Sequence, residues 1–150
     1  MALIGEKDAD FIRDHFSKHM TNEVKITLFS QKESTLYIPA QECMYCSETR
    51  ELLEEVAALN DKIELDIKDF VADQAEAASL GIDRIPAFVV EGASKGKVRF
   101  FGIPSGYEFS TLIEDIVDVS RGETDLQPKT RAALAALTED VRIQVFVTPT

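Results

Sequence analysis

Cys43-Met44-Tyr45-Cys46 holds the only two cysteines of the 150-residue chain. A helical pattern follows at once: Leu52, Leu53, Val56, Ala57 and Leu59 recur on one side of residues 47–59, with Glu48, Arg50, Glu51, Glu54 and Glu55 on the other. A Cys-x-x-Cys pair at the head of a helix places its first sulfur where unpaired N–H groups and the helix dipole favour a thiolate. Thiols so placed ionise anywhere from about 3.5 to 7.5 rather than near 8.5. Cys43 is thus the expected nucleophile on a partner disulfide, and Cys46, one turn on and more buried, the thiol that resolves the mixed disulfide. Two other readings stay open at this point. His15 and His19, four residues apart, complete the spacings of a Cys2His2 zinc site. The two cysteines alone could also form an inert structural pair.

Outward from the pair the pattern alternates strands with helices. Residues 6–20 read as a helix with Phe11, Ile12, Phe16 and Met20 on one face and the two histidines beside it. Residues 24–30 alternate as a strand. Residues 31–42 form a long connection whose Thr35-Leu36-Tyr37-Ile38 reads as a short strand or a flap over the cysteines. Ile63, Leu65 and Ile67 alternate with Glu64 and Asp66, as on an edge strand. A helix over about 70–80 uses Phe70, Val71, Ala75, Ala78 and Leu80 and stops at Gly81. Residues 85–91, entered through Pro86, pair across the turn 92–96 with 98–102. Ser105 and Glu108 have capping-box spacing at the head of a helix that runs to about 120 and ends at Gly122. Pro128 opens a further helix over about 128–138 with Leu134 and Leu137 inward, and residues 141–147 alternate as a strand. The pattern predicts an α/β fold: a four-stranded mixed sheet flanked by helices, with an N-terminal helix and a C-terminal helix–strand extension. Residues 1–122 make the first unit, and 123–150 repeat its opening helix and strand.

The chain is long enough for one packed core, and its 45% hydrophobic and 29% charged residues are those of a globular domain. A net charge of −11 repels phosphate backbones and anionic lipid, so neither nucleic acid nor membrane is an expected partner. No apolar run approaches the roughly 20 residues that span a bilayer, and the charged start is unlike a signal peptide, which predicts a cytoplasmic location. Glu42 and Glu48 flank the cysteines and oppose the helix dipole there.

Several segments together resemble the thioredoxin/glutaredoxin superfamily, and within it the protein disulfide oxidoreductases (glutaredoxin-like proteins) built from two fused thioredoxin folds. They are Cys43-Met44-Tyr45-Cys46, Asp83-Arg84-Ile85-Pro86-Ala87, the run 100–109, the helix 112–121 and the segment 140–150. The resemblance implies a thioredoxin-like fold and a dithiol that reduces, oxidises or isomerises protein disulfides, with no cofactor beyond the Cys43–Cys46 disulfide. Met44, Tyr45, Ile85 and Pro86 would contact substrate. Pro86 would be the family's cis-proline, and the Ile85 backbone would hold an extended substrate strand. It implies protein disulfide or dithiol substrates and an electron donor like thioredoxin reductase. Met44 stands where glutaredoxins have proline and no Gly-Gly follows Pro86, so a dithiol mechanism is expected without a dedicated glutathione site. Residues 123–150 would begin a second unit. The alternative function is a non-catalytic half whose activity lies in that second unit. An apolar strand over 141–147 with no helix after it predicts a homodimer, swapped or not, or docking of the tail on its own sheet.

Overall fold

A computed structural model describes residues 2–31 and 43–147. The expected strand or flap at 35–38 and the carboxylate of Glu42 lie outside the described residues.

The sheet follows from β1 (Val24–Ser30), which is buried at six of its seven positions and therefore central. It pairs parallel with β2 (Ile63–Asp69) and antiparallel with β3 (Ala87–Glu91), and β3 pairs antiparallel with β4 (Val98–Phe101), giving the order β2-β1-β3-β4. The alternation read over 63–67 places β2 at an edge, as expected. Its Asp66 sits between Lys25 and Lys68 at 3.2 and 3.4 Å. Burial raises the Asp66 carboxyl, but hydrogen bonds from the two lysines outweigh it and hold the group below the usual range. Such charges on an edge strand oppose adventitious pairing.

The even positions of β1, Val24, Ile26 and Leu28, join the larger core with α1 (Glu6–His19), α2 (Cys46–Ala57) and α4 (Tyr107–Arg121). Phe16, Leu53, Val56, Phe88, Leu112 and Ile116 are fully enclosed there, and Phe88 stacks on Phe100 across β3 and β4. The opposite face holds a smaller core of Phe29, Ala87 and Val89 under α3 (Gln74–Ser79), Leu80 and Ile82. Glu55, expected on the outer face of its helix, is half-buried and accepts the Leu3 and Ile4 N–H groups, pinning the chain's start to α2.

Other expectations need correction. Phe11 is 70% exposed: it lies at the border of the α1 stripe and stacks on His15 instead of entering the core. The helix expected over 70–80 shrinks to α3, because the Asp69 carboxylate takes the Val71 and Ala72 N–H groups and makes a turn of 70–73, leaving Val71 exposed. The capping box of Ser105 and Glu108 does not form. α4 starts at Tyr107 from Gly106, whose φ of 58° suits glycine, and no side chain caps it. The hairpin strand begins at Ala87, after the proline, since Pro86 has no N–H for the ladder.

The tail departs furthest. α5 (Pro128–Ala135) buries nothing, and Leu134 and Leu137, expected inward, are half-exposed. Residues 141–147 form no strand and are exposed throughout, because a strand needs a neighbour to take its N–H and C=O groups and none of the described residues supplies one.

On α4, burial first and Asp118 second push the Asp115 carboxyl above its ordinary range. An acid raised in the folded state binds its proton more tightly there. Its contribution is therefore most favourable below the ordinary value near ~3.9 and is lost as pH rises through the raised folded value. Asp115→Asn should raise the neutral-pH Tm by about 1–2 °C, the scale of a partly exposed charge, and the gain should disappear as pH falls through the acidic range, so that the variant's Tm drops more steeply on acidification than the parent's. Thermal melts at several pH values measure it, and parallel curves for the two proteins would contradict the sign.

Candidate functional site: a disulfide at the head of a helix

The parallel β1–β2 connection forces the chain from the C-terminal end of β1 back through α2, so the head of α2 lies beside that strand end. Cys46 is the first helical residue and is 4% exposed; Cys43 precedes it and is half-buried. The two are disulfide-bonded, with Cα atoms 5.4 Å apart. Between them Met44 and Tyr45 project outward at 75% and 49% exposure. Tyr45 is the helix N-cap and makes no side-chain capping bond. Thr49, fully buried, fixes the first turn instead: its N–H and Oγ1 both donate to the Tyr45 carbonyl, at 3.0 and 2.6 Å. Among the described residues no side chain caps the opening N–H groups of α2, the arrangement that favours a thiolate at its head.

Gln31, just past β1, reaches both cysteines. Its backbone N–H donates to Cys46 Sγ at 3.4 Å, and its side-chain Oε1 accepts the Cys43 N–H at 2.7 Å. Arg50, half-buried one turn beyond Cys46, directs Nη2 to the Gln31 carbonyl at 3.5 Å. Sequence reasoning misses Gln31 because it lies outside every periodic element; its position as the first residue after a buried strand is the signal available.

β1 and β3 run antiparallel with Phe29 opposite Ala87, so continuing the register sets residues 30–31 alongside 85–86. The Ile85–Pro86 peptide bond is cis. Pro86 is buried and its carbonyl accepts the Gly102 N–H at 2.8 Å, tying it to the hairpin. Ile85 is half-buried, and among the described residues its backbone N–H and C=O take part in no hydrogen bond. Beside it, Arg84 pairs with Asp83 at 2.8 Å and lies over the Phe101 ring, 5.3 Å from its centroid. The Arg84 hydrogen bond holds the Asp83 carboxyl below its usual range. The expected site residues thus fall on two neighbouring segments, 43–46 and 85–86.

The histidines lie elsewhere. Their rings are 4.7 Å apart on α1, and His15 Nε2 is 3.3 Å from Glu114 Oε1 of α4 without the alignment of a hydrogen bond. The zinc reading needed all four side chains to converge. Instead the sulfurs bond each other, and among the described residues no three His, Cys, Asp or Glu side chains are grouped to hold a metal. No described helix is long and apolar enough to cross a membrane.

No curated protein matches the chain. Among solved structures it is similar to the alkylhydroperoxide reductase AhpF of Enterococcus faecalis, with 24% identity and a TM-score of 0.73 over 89% of this chain and 61% of that one. A protein disulfide oxidoreductase of Aeropyrum pernix is similar at 24% identity and a TM-score of 0.72, over 89% of this chain and 55% of that one. The chain therefore spans less than two thirds of the length of either, and at these identities the likeness is one of fold. The thioredoxin domain family matches residues 36–114, more than half of the sequence and the whole of the disulfide and cis-proline region. With the mixed four-stranded sheet and a disulfide heading α2, that match places the chain in the thioredoxin-domain family.

Proposed function

We propose that the chain is a protein disulfide oxidoreductase, with Cys43 as nucleophile and Cys46 as resolving thiol. The observation that carries this is the asymmetry of one bonded pair: Cys43 is reachable and Cys46 is buried at the start of α2. In the reducing direction the Cys43 thiolate attacks a substrate disulfide. A Cys43–substrate disulfide forms and one substrate thiolate leaves. The Cys46 thiolate then attacks Cys43 Sγ, the bond to substrate breaks, and the second substrate thiolate departs. Two electrons pass from the dithiol to the substrate, and the reverse sequence oxidises a substrate dithiol. The N–H and C=O of Ile85, unpaired among the described residues, suit an extended substrate segment laid beside Pro86, with Met44 and Tyr45 as its apolar floor. The reading requires no cofactor beyond the disulfide. It implies a dithiol donor of the thioredoxin-reductase class and a reducing compartment such as the cytoplasm. Reduction of insulin disulfides, with dithiothreitol as terminal donor, tests it: catalytic turnover above the dithiothreitol background is expected, and none would contradict it.

Residues 123–150 are part of the same proposal as the start of a second thioredoxin-like unit, with 141–147 as a strand that finds its neighbour in another chain. Val141, Ile143, Val145, Phe146 and Val147 are each at least 62% exposed, an apolar row that pairing would cover. A homodimer through this segment is expected, and deleting 140–150 should halve the mass seen by light scattering. An unchanged mass would exclude that dimer.

A further inference from the structure

We propose that Gln31 is a positioning residue for the resolving step, holding Cys43 by its side chain while its backbone N–H engages the sulfur of Cys46. The proposal rests on the reading above and assigns a role to a residue outside the Cys-x-x-Cys and Ile85–Pro86 segments.

Three contacts converge on this one residue. Gln31 Oε1 accepts the Cys43 N–H at 2.7 Å, a short bond for an amide donor. The Gln31 N–H donates to Cys46 Sγ at 3.4 Å. The Gln31 carbonyl faces Arg50 Nη2 at 3.5 Å, on the helix that carries Cys46. The neighbouring Ser30 belongs to β1 and is buried, so the Gln31 backbone is anchored to the sheet on its N-terminal side.

Resolution needs the Cys46 thiolate to approach Cys43 Sγ in line with the bond from Cys43 to the substrate. An N–H aimed at Cys46 Sγ favours its thiolate over its thiol, since the charged sulfur is the better acceptor. The proton goes to solvent as the thiolate forms. The clasp on the Cys43 N–H keeps the attacked sulfur at a fixed distance from the same backbone. The Gln31 N–H stays with the sheet, so a side chain that releases Cys43 lets the segment 43–46, and Cys46 Sγ with it, move away from that N–H. By microscopic reversibility the same N–H stabilises Cys46 as the leaving thiolate when the disulfide oxidises a substrate dithiol.

Reduced protein mixed with dithiobis(nitrobenzoate) separates the two steps. The first coloured thiolate is released as Cys43 attacks, the second as Cys46 resolves the mixed disulfide. Gln31→Leu keeps the volume and removes the carbonyl oxygen; Gln31→Asn keeps the amide but draws it back by one methylene. In both, the second phase should slow about tenfold, the worth of one hydrogen bond, and its pH midpoint should rise. The first phase should change less. A role in folding alone would lower Tm and leave the pH midpoint of resolution where it is in the parent. Second phases within about twofold of the parent, with the same midpoint, would overturn the proposal; if the leucine variant fails to fold, the asparagine variant decides. A parent protein that shows no second phase would instead refute the dithiol mechanism itself.

Discussion

Cys43→Ser should reduce insulin disulfides on the order of 10³-fold more slowly than the parent, or no faster than dithiothreitol alone, the scale on which losing a nucleophile acts. A serine hydroxyl is not ionised at neutral pH and cannot be regenerated by thiol exchange, so the first bond to substrate never forms. Cys46→Ser should behave differently. Cys43 remains half-exposed at the head of α2 and still attacks, but nothing displaces the substrate from it, and a covalent complex accumulates. The pair of outcomes distinguishes a dithiol enzyme from a thioredoxin-fold module that only binds. Equal covalent trapping by both variants would contradict the assignment of roles, and parental turnover by Cys43→Ser would contradict the function.

Ser120→Ala should lose about 2–3 kcal/mol of stability, a fall of about 5–10 °C in Tm for a chain of this size. Ser120 is fully buried at the end of α4, and its hydroxyl serves three backbone groups of the turn between α1 and β1. It accepts the Thr21 and Asn22 N–H groups, each at 3.0 Å, and donates to the Asn22 carbonyl at 2.5 Å. Alanine fits the space but strands all three. Water reaches the exposed side chains of this turn and restores part of the loss, which keeps the cost below the sum for three enclosed groups. Bonds from Thr21 Oγ1 and Asn22 Nδ2 to the Ser120 carbonyl survive the substitution. Thermal or urea unfolding measures the effect; a fall under about 1 °C would show that the hydroxyl is dispensable.

Ser120 also illustrates what the sequence could not convey. It reads as a polar residue near a helix end, and its partners are almost a hundred positions away. Gln31 is a similar case: it lies just past a buried strand, and its bonds to Cys43 and Cys46 cross a long connection. The alternating and helical elements were legible because periodicity records burial: Ile26 and Leu28, or Leu112 and Ile116, each carry their own core face. The disulfide was legible because Cys-x-x-Cys fixes both partners locally, and the cis Ile85–Pro86 because the resemblance covers that segment. Ends and borders were misread where local chemistry overrode pattern, as when Asp69 makes a turn of residues 70–73. Residues 141–147 have a strand's alternation and no strand, since pairing is a property of two segments and no described segment lies beside them.

The central claim is that Cys43 and Cys46 cycle between dithiol and disulfide at potentials a cell supplies. Equilibrating the protein in graded glutathione or dithiothreitol redox buffers, then alkylating and weighing it, measures this directly. A single two-electron transition with a midpoint between about −270 and −180 mV, the span from thioredoxin to disulfide isomerase, is predicted. A pair that stays oxidised below about −300 mV, as structural disulfides do, would contradict it.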